Sequence, residues 1–107
     1  PVFGQQIILN SASVIGGGPS YGGGTYNTGS NPASLAVDEQ AGPPEIETEL
    51  RNNYWIGPDG LASSYFVIDL GAAYQIGEIV LFNTHNWESM DRSTKDFRIQ
   101  ASNSVSF

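Results

Sequence analysis

Two stretches with a two-residue apolar period, and a β-rich run between them, restrict this chain more than any other feature, because such a period buries one face only as a β-strand. Tyr65 to Leu70 sets Phe66, Ile68 and Leu70 on one face. Asp96 to Ala101 turns Phe97 and Ile99 inward against Asp96, Arg98 and Gln100, and so predicts a strand with one solvated face. Between them Ile76 to Asn83 is rich in β-branched and aromatic residues, with Ile79 and Leu81 on one side. Gly57-Pro58-Asp59-Gly60 is a turn signal ahead of the first stretch, and Gly71 to Gln75 turns the chain into the second. A meander follows from that spacing, and short strands with turns between them and no heptad or repeat predict an all-β sandwich or barrel.

The N-terminal part reads differently. Gln6 to Ile15 predicts a strand, ended by Gly16-Gly17-Gly18-Pro19, where the chain must turn. Residues 16–30 hold seven glycines with Tyr21 and Tyr26 among them. Such a stretch is too flexible and too poor in apolar side chains for a core, and predicts a surface loop. Asn31 as an N-cap type, with Pro32 at the first helical position, predicts one short helical turn that Leu35 and Val37 seat on the core. Glu45 to Asn52 fits a helix by its Ile46 and Leu50 and an edge strand by its Glu/Thr alternation, and stays undecided.

Charge narrows the function classes. The sequence carries four bases, Arg51, Arg92, Lys95 and Arg98, against eleven acids, for a net charge of −7. That balance repels a phosphate backbone, so nucleic acid is not an expected partner. The apolar runs fall far short of the roughly 20 residues that span a bilayer, so no transmembrane segment is expected. At 107 residues the chain predicts a single domain, 1–107, and the absence of cysteine excludes disulfides and thiolate metal sites. A start at Pro1 without Met or an apolar leader fits a processed mature chain or a piece of a longer one.

Three ordered segments resemble the discoidin, or coagulation-factor type C, domains of the galactose-binding-like superfamily. The first is Asn10-Ser11-Ala12-Ser13 leading to Asn31-Pro32-Ala33-Ser34-Leu35-Ala36-Val37-Asp38. The second is Tyr54-Trp55-Ile56 followed by Tyr65-Phe66-Val67-Ile68-Asp69-Leu70-Gly71. The third is Ile76 to Asn83 with Thr84-His85-Asn86, then Asp91-Arg92-Ser93-Thr94-Lys95-Asp96-Phe97-Arg98-Ile99 and Ala101-Ser102. The resemblance implies an antiparallel jelly-roll β-sandwich whose loops at one end bind glycans, lipid head groups or proteins, outside the cell or on its surface. It departs from the family pattern in two places. Asp38 is followed by Glu39 where the family has Gly, and the strands that follow Ala101-Ser102 in the family are missing before Phe107. The sandwich implied is thus a partial one, to be closed by more of the same polypeptide or by a neighbouring chain.

Asp38 resembles the family's calcium-loop aspartate, a hard carboxylate suited to a structural calcium ion, and equally reads as a turn or cap residue. Trp87 among polar residues supplies an aromatic platform for a sugar ring, and His85, Asn86 and Arg92 supply hydrogen-bonding groups for its hydroxyls. Of these, Arg92 equally reads as paired with Asp91 to shape the loop, and His85, with Asn83, as a cap at a strand end. Tyr21 and Tyr26 in the glycine-rich loop read equally as binding or packing residues, Asn53 and Tyr54 join the candidate ligand set, and Trp55 reads as structural. The lone His85 has no evident Ser/Asp partner, and no phosphate-binding glycine motif or zinc motif is present, so catalysis is not expected. Two functions stay open: a carbohydrate-binding or adhesion module with a glycan or glycoprotein partner, and a structural subunit that assembles with copies of itself through unpaired strand edges.

Overall fold

The computed structural model describes residues 6–37, 54–81 and 94–104. Its organising element is a two-stranded antiparallel sheet of β1, Val14–Gly17, and β2, Phe66–Ile68. The register pairs Val14 with Ile68, Gly16 with Val67 and Gly17 with Phe66. Ile15 is therefore the extra residue of a bulge. Two hydrogen bonds carry the pairing past the strand ends: Gly18 N–H donates to the Tyr65 carbonyl at 3.0 Å, and Asp69 N–H to the Ser13 carbonyl at 2.8 Å.

The strand predicted over Gln6 to Ile15 is displaced toward the C-terminus, and the cause is local. Asn10 Oδ1 accepts from Ala12 N–H at 2.9 Å, while Ser13 Oγ accepts from Asn10 N–H at 3.1 Å. This reciprocal cap winds Ser11–Ser13 into a 3₁₀ turn, so the paired strand begins only at Val14. Gly16 and Gly17, read as part of a turn, instead form the second half of β1, and the chain bends at Gly18. A Cβ on Gly17 would lie 2.7 Å from the Tyr65 carbonyl oxygen and 2.9 Å from Phe66 Cα, so the close approach of β2 requires glycine there.

β2 lies inside the predicted Tyr65 to Leu70, and its Phe66 and Ile68 pack against the core as the alternation predicts. That core is small. Val14, Ala33 and Val37 are buried, and Leu9, Tyr26, Trp55, Phe66 and Ile68 pack around them. Ala33 and Val37 arrive on a second 3₁₀ turn, Ala33–Ala36, close to the predicted helical turn, although Pro32 takes the cap position and Asn31 is used elsewhere.

The strands predicted over 76–83 and 96–101 have no ladder among the described residues, where 76–81 and 94–101 belong to no strand. Their apolar members Ile79, Val80, Leu81, Phe97 and Ile99 are all exposed. Alternation prepares a face for burial, but a strand exists only when a second backbone completes its hydrogen bonds. The described residues thus contain one strand pair.

Candidate functional site

The glycine-rich segment forms a fastened loop. With Gly16 and Gly17 in β1, the loop proper starts at Gly18 and returns at the isolated bridge between Tyr21 and Asn31. Ser30 N–H donates to the Tyr21 carbonyl at 3.0 Å, Ser20 N–H to the Thr25 carbonyl at 3.0 Å, and Gly23 N–H to the Ser20 carbonyl at 3.1 Å. Its exit is tied to the second 3₁₀ turn, where Ala33 N–H donates to the Tyr26 carbonyl at 2.7 Å. Backbone groups that a mobile loop would leave to water are satisfied inside the segment.

Two buried polar side chains attach this loop to the rest of the molecule. Ser20 is fully buried; its hydroxyl donates to the Tyr26 carbonyl at 2.9 Å and accepts from Trp55 Nε1–H at 3.2 Å. Asn31, only 3% exposed, donates through Nδ2 to the Tyr54 carbonyl at 3.0 Å. The segment 54–56 completes the clamp, because Tyr21 N–H donates to the Ile56 carbonyl at 2.9 Å and Ile56 N–H to the Asn31 carbonyl at 3.3 Å. Trp55 meets Phe66 of β2 edge-on, with ring centroids 4.9 Å apart and planes at 77°. Loop, clamp and sheet are therefore joined by hydrogen bonds and one aromatic contact.

The tip of the loop faces solvent with neutral polar groups. Thr25 Oγ1 donates to Asn27 Oδ1 at 2.8 Å and lies 3.0 Å from Thr28 Oγ1, and Thr28 Oγ1 accepts from Thr25 N–H at 3.2 Å. All three residues are exposed, and no charged side chain occurs from Pro1 to Val37. Hydroxyls and an amide held in fixed positions can exchange hydrogen bonds with a neutral ligand without the desolvation cost of a charge.

No family model, curated protein or solved structure matches the chain. What the loop can bind follows from its own atoms. Of the residues expected at a site, Tyr26 packs against the core, Tyr21 is half-buried at the loop's neck, and the half-buried Tyr54 lends its carbonyl to Asn31. Trp87, His85, Asn86, Arg92 and Asn53 lie outside the described residues, as does Asp38, the expected calcium residue. Among the described residues no group of three metal-ligating side chains occurs, and no helix is long and apolar enough to cross a membrane. A separate open cleft of about 260 Å³ between residues 70–76 and 101–103, with Tyr74 on its wall, includes none of the expected site residues.

Sequence reading passed over Ser20 and gave Asn31 a different role. Nothing about a serine between Pro19 and Tyr21 marks it as buried, whereas Asn31 beside Pro32 signals a helix cap in sequence and serves as a cross-link in the fold. Removal of that cross-link has a measurable expected cost. Asn31→Ala loses one buried hydrogen bond, worth about 1 to 2 kcal/mol. Asn31→Asp, which keeps the size but not the donor, should cost at least as much. Urea denaturation of both variants, with midpoints falling at unchanged slope, checks this.

Proposed function

We propose that this chain is a non-catalytic binding and adhesion module that takes a neutral, hydroxyl-rich ligand, a glycan or glycoprotein, outside the cell or on its surface. The observation that carries the reading is the loop of residues 18–31, fastened by Ser20, Asn31 and Trp55 and exposing Thr25, Asn27 and Thr28 at its tip. A preorganised polar tip loses little conformational freedom on binding, which is the main cost such a loop would otherwise meet. Support for the ligand class comes from the absence of charge in this third of the sequence and from the discoidin-like segments. On this reading β1 and β2 belong to an antiparallel jelly-roll sandwich, Trp87 supplies an aromatic platform, and Asp38 holds a structural calcium ion.

Calorimetric titration with monosaccharides and a glycan array test the proposal. Thr25→Ala, Asn27→Ala and Trp87→Ala should each weaken binding, the first two by roughly fivefold, as expected for about 1 kcal/mol per hydrogen bond. Absence of any sugar binding at millimolar concentration overturns it.

A second reading, a structural subunit assembling with copies of itself, is favoured by one observation. Ile79, Leu81, Phe97 and Ile99 lie on segments with strand alternation but no ladder, and all are exposed. A face of that kind is suited to closure by a strand from a neighbouring chain. Light scattering on the titration samples separates the two readings: a monomer at all concentrations removes the second.

A further inference from the structure

The connection between Ile56 and β2 holds a reactive pair of residues. Asp59 and Gly60 are both exposed, and no other Asp or Asn in the sequence precedes a glycine. Gly60 has a φ of 79° and nothing within 4 Å of the position a Cβ would take. Among the described residues neither the Asp59 carboxylate nor the Gly60 amide N–H has a hydrogen-bond partner. Three other side chains of the same chemistry are held, and the exposed Asp96 and Asn103 precede Phe97 and Ser104 rather than glycine. Asp69 Oδ1 accepts from Gly71 N–H at 2.8 Å, Asn10 is locked in its capping box, and Asn31 is buried.

We propose that the Asp59–Gly60 linkage is a site of spontaneous backbone modification, at which an internal succinimide forms and reopens to isoaspartate. The Gly60 amide nitrogen attacks the Asp59 side-chain carboxyl carbon in its acid form. A nitrogen–carbon bond forms, the carbon–hydroxyl bond breaks, and the hydroxyl leaves with the amide proton as water. A water molecule then adds to the ring at the former main-chain carbonyl of Asp59 and breaks its bond to the Gly60 nitrogen. The chain now runs through the side-chain carbon and leaves a free α-carboxylate. Mass and charge are unchanged, and no oxidant or cofactor is consumed.

Glycine is what the first step needs, because the attack requires rotation about the Asp59–Gly60 backbone that a Cβ at residue 60 would obstruct. The surrounding loop tolerates the product. Gly57 approaches Ser64 so closely that a Cβ on it would lie 2.9 Å from Ser64 Cβ, which closes the base of the loop, while residues 59–63 are all exposed. One additional backbone atom inside that exposed arc leaves the clamp at 54–56 and the ladder at 65–69 in place. The product is the substrate class of carboxyl methyltransferases that use S-adenosylmethionine, so the site is also one for enzymatic methyl esterification.

The test is incubation of the folded full chain at physiological temperature, followed by peptide mapping by liquid chromatography and mass spectrometry and by labelling with an isoaspartyl methyltransferase. The expected result is a succinimide one water lighter and an isobaric isoaspartyl peptide, both at residue 59. Their rate should approach that of an unstructured peptide spanning residues 55–65 and drop severalfold in Gly60→Val. A folded chain that resists while the peptide converts overturns the proposal. So does a Gly60→Val variant that converts as fast as the parent, or modification that gathers at Asp69 or Asn103 instead.

Discussion

Gly29→Ala should destabilise the protein more than any other single-methyl change in the loop. Gly29 has a φ of 94°, and a Cβ there would collide with the Tyr21 carbonyl oxygen, approach Gly23 N at 2.6 Å and Gly22 C at 2.8 Å. Every obstructing atom is backbone, so no side chain can rotate aside. The left-handed conformation costs an alanine roughly 1 to 2 kcal/mol. Relief of the overlap costs a further 1 to 3 kcal/mol or so. A total of about 3 kcal/mol is a large part of the 5 to 15 kcal/mol that holds a typical domain together. The melting temperature should then fall by about 10 °C or more. Because the displaced group is the Tyr21 carbonyl that accepts from Ser30 N–H, the bridge between Tyr21 and Asn31 opens, and ligand binding should fall with stability. Gly24→Ala is the matched control. Nothing lies within 4 Å of its Cβ position and its φ is not left-handed, so it should be neutral or stabilise by a few tenths of a kcal/mol through the unfolded chain. Parallel thermal and urea melts of the two variants decide the matter: equal midpoints would show that the loop is not packed as described.

Trp55 carries the second large effect. Its ring supplies the edge-on contact with Phe66 and its Nε1–H the bond to Ser20, so it joins the sheet to the loop. Trp55→Ala should cost about 3 kcal/mol, the lower end for loss of a large aromatic, because the side chain is only half-buried. Trp55→Phe separates the two contributions. It keeps an aromatic ring against Phe66 and removes only the donor, and Ser20 still donates to the Tyr26 carbonyl, so its hydroxyl is not left without a partner. The expected cost is about 1 kcal/mol. Should Trp55→Phe prove as damaging as Trp55→Ala, the hydrogen bond to Ser20 rather than the ring contact would be the main tie. Amide hydrogen exchange adds a local reading: in both variants the N–H groups of Ser20, Tyr21 and Ser30 should lose protection before those of β1.

What the sequence made legible follows from how local each signal is. β2 could be read because the alternation of Phe66 and Ile68 is contained within a few residues. Its partner could not, since the pairing of Gly16 and Gly17 with Val67 and Phe66 spans about fifty positions and the glycines alone look like a turn. The capping box of Asn10 and Ser13 is local and could have been found, as their spacing matches reciprocal capping; the run of β-branched residues masked it. Asn31 illustrates the opposite limit. Its helix-cap signature is real, yet a tertiary acceptor on Tyr54 takes the side chain and leaves the cap to Pro32. As for the site, the glycine-rich composition marks a loop, but its first two glycines belong to β1 and its fastening depends on Ser20 and Trp55, thirty-five positions apart.

The absence of formal charge from the loop and its fastenings has a consequence for handling and assay. Every hydrogen bond described between residues 10 and 37, and every one that ties this region to 54–56, joins two neutral groups. Neutral pairs are not weakened by counter-ions, whereas exposed ion pairs lose strength over a Debye length of about 8 to 10 Å at ordinary ionic strength. The shape of the loop should therefore be the same in dilute buffer and in concentrated sodium chloride, and a ligand that lets go when salt is raised is being held somewhere else on the molecule.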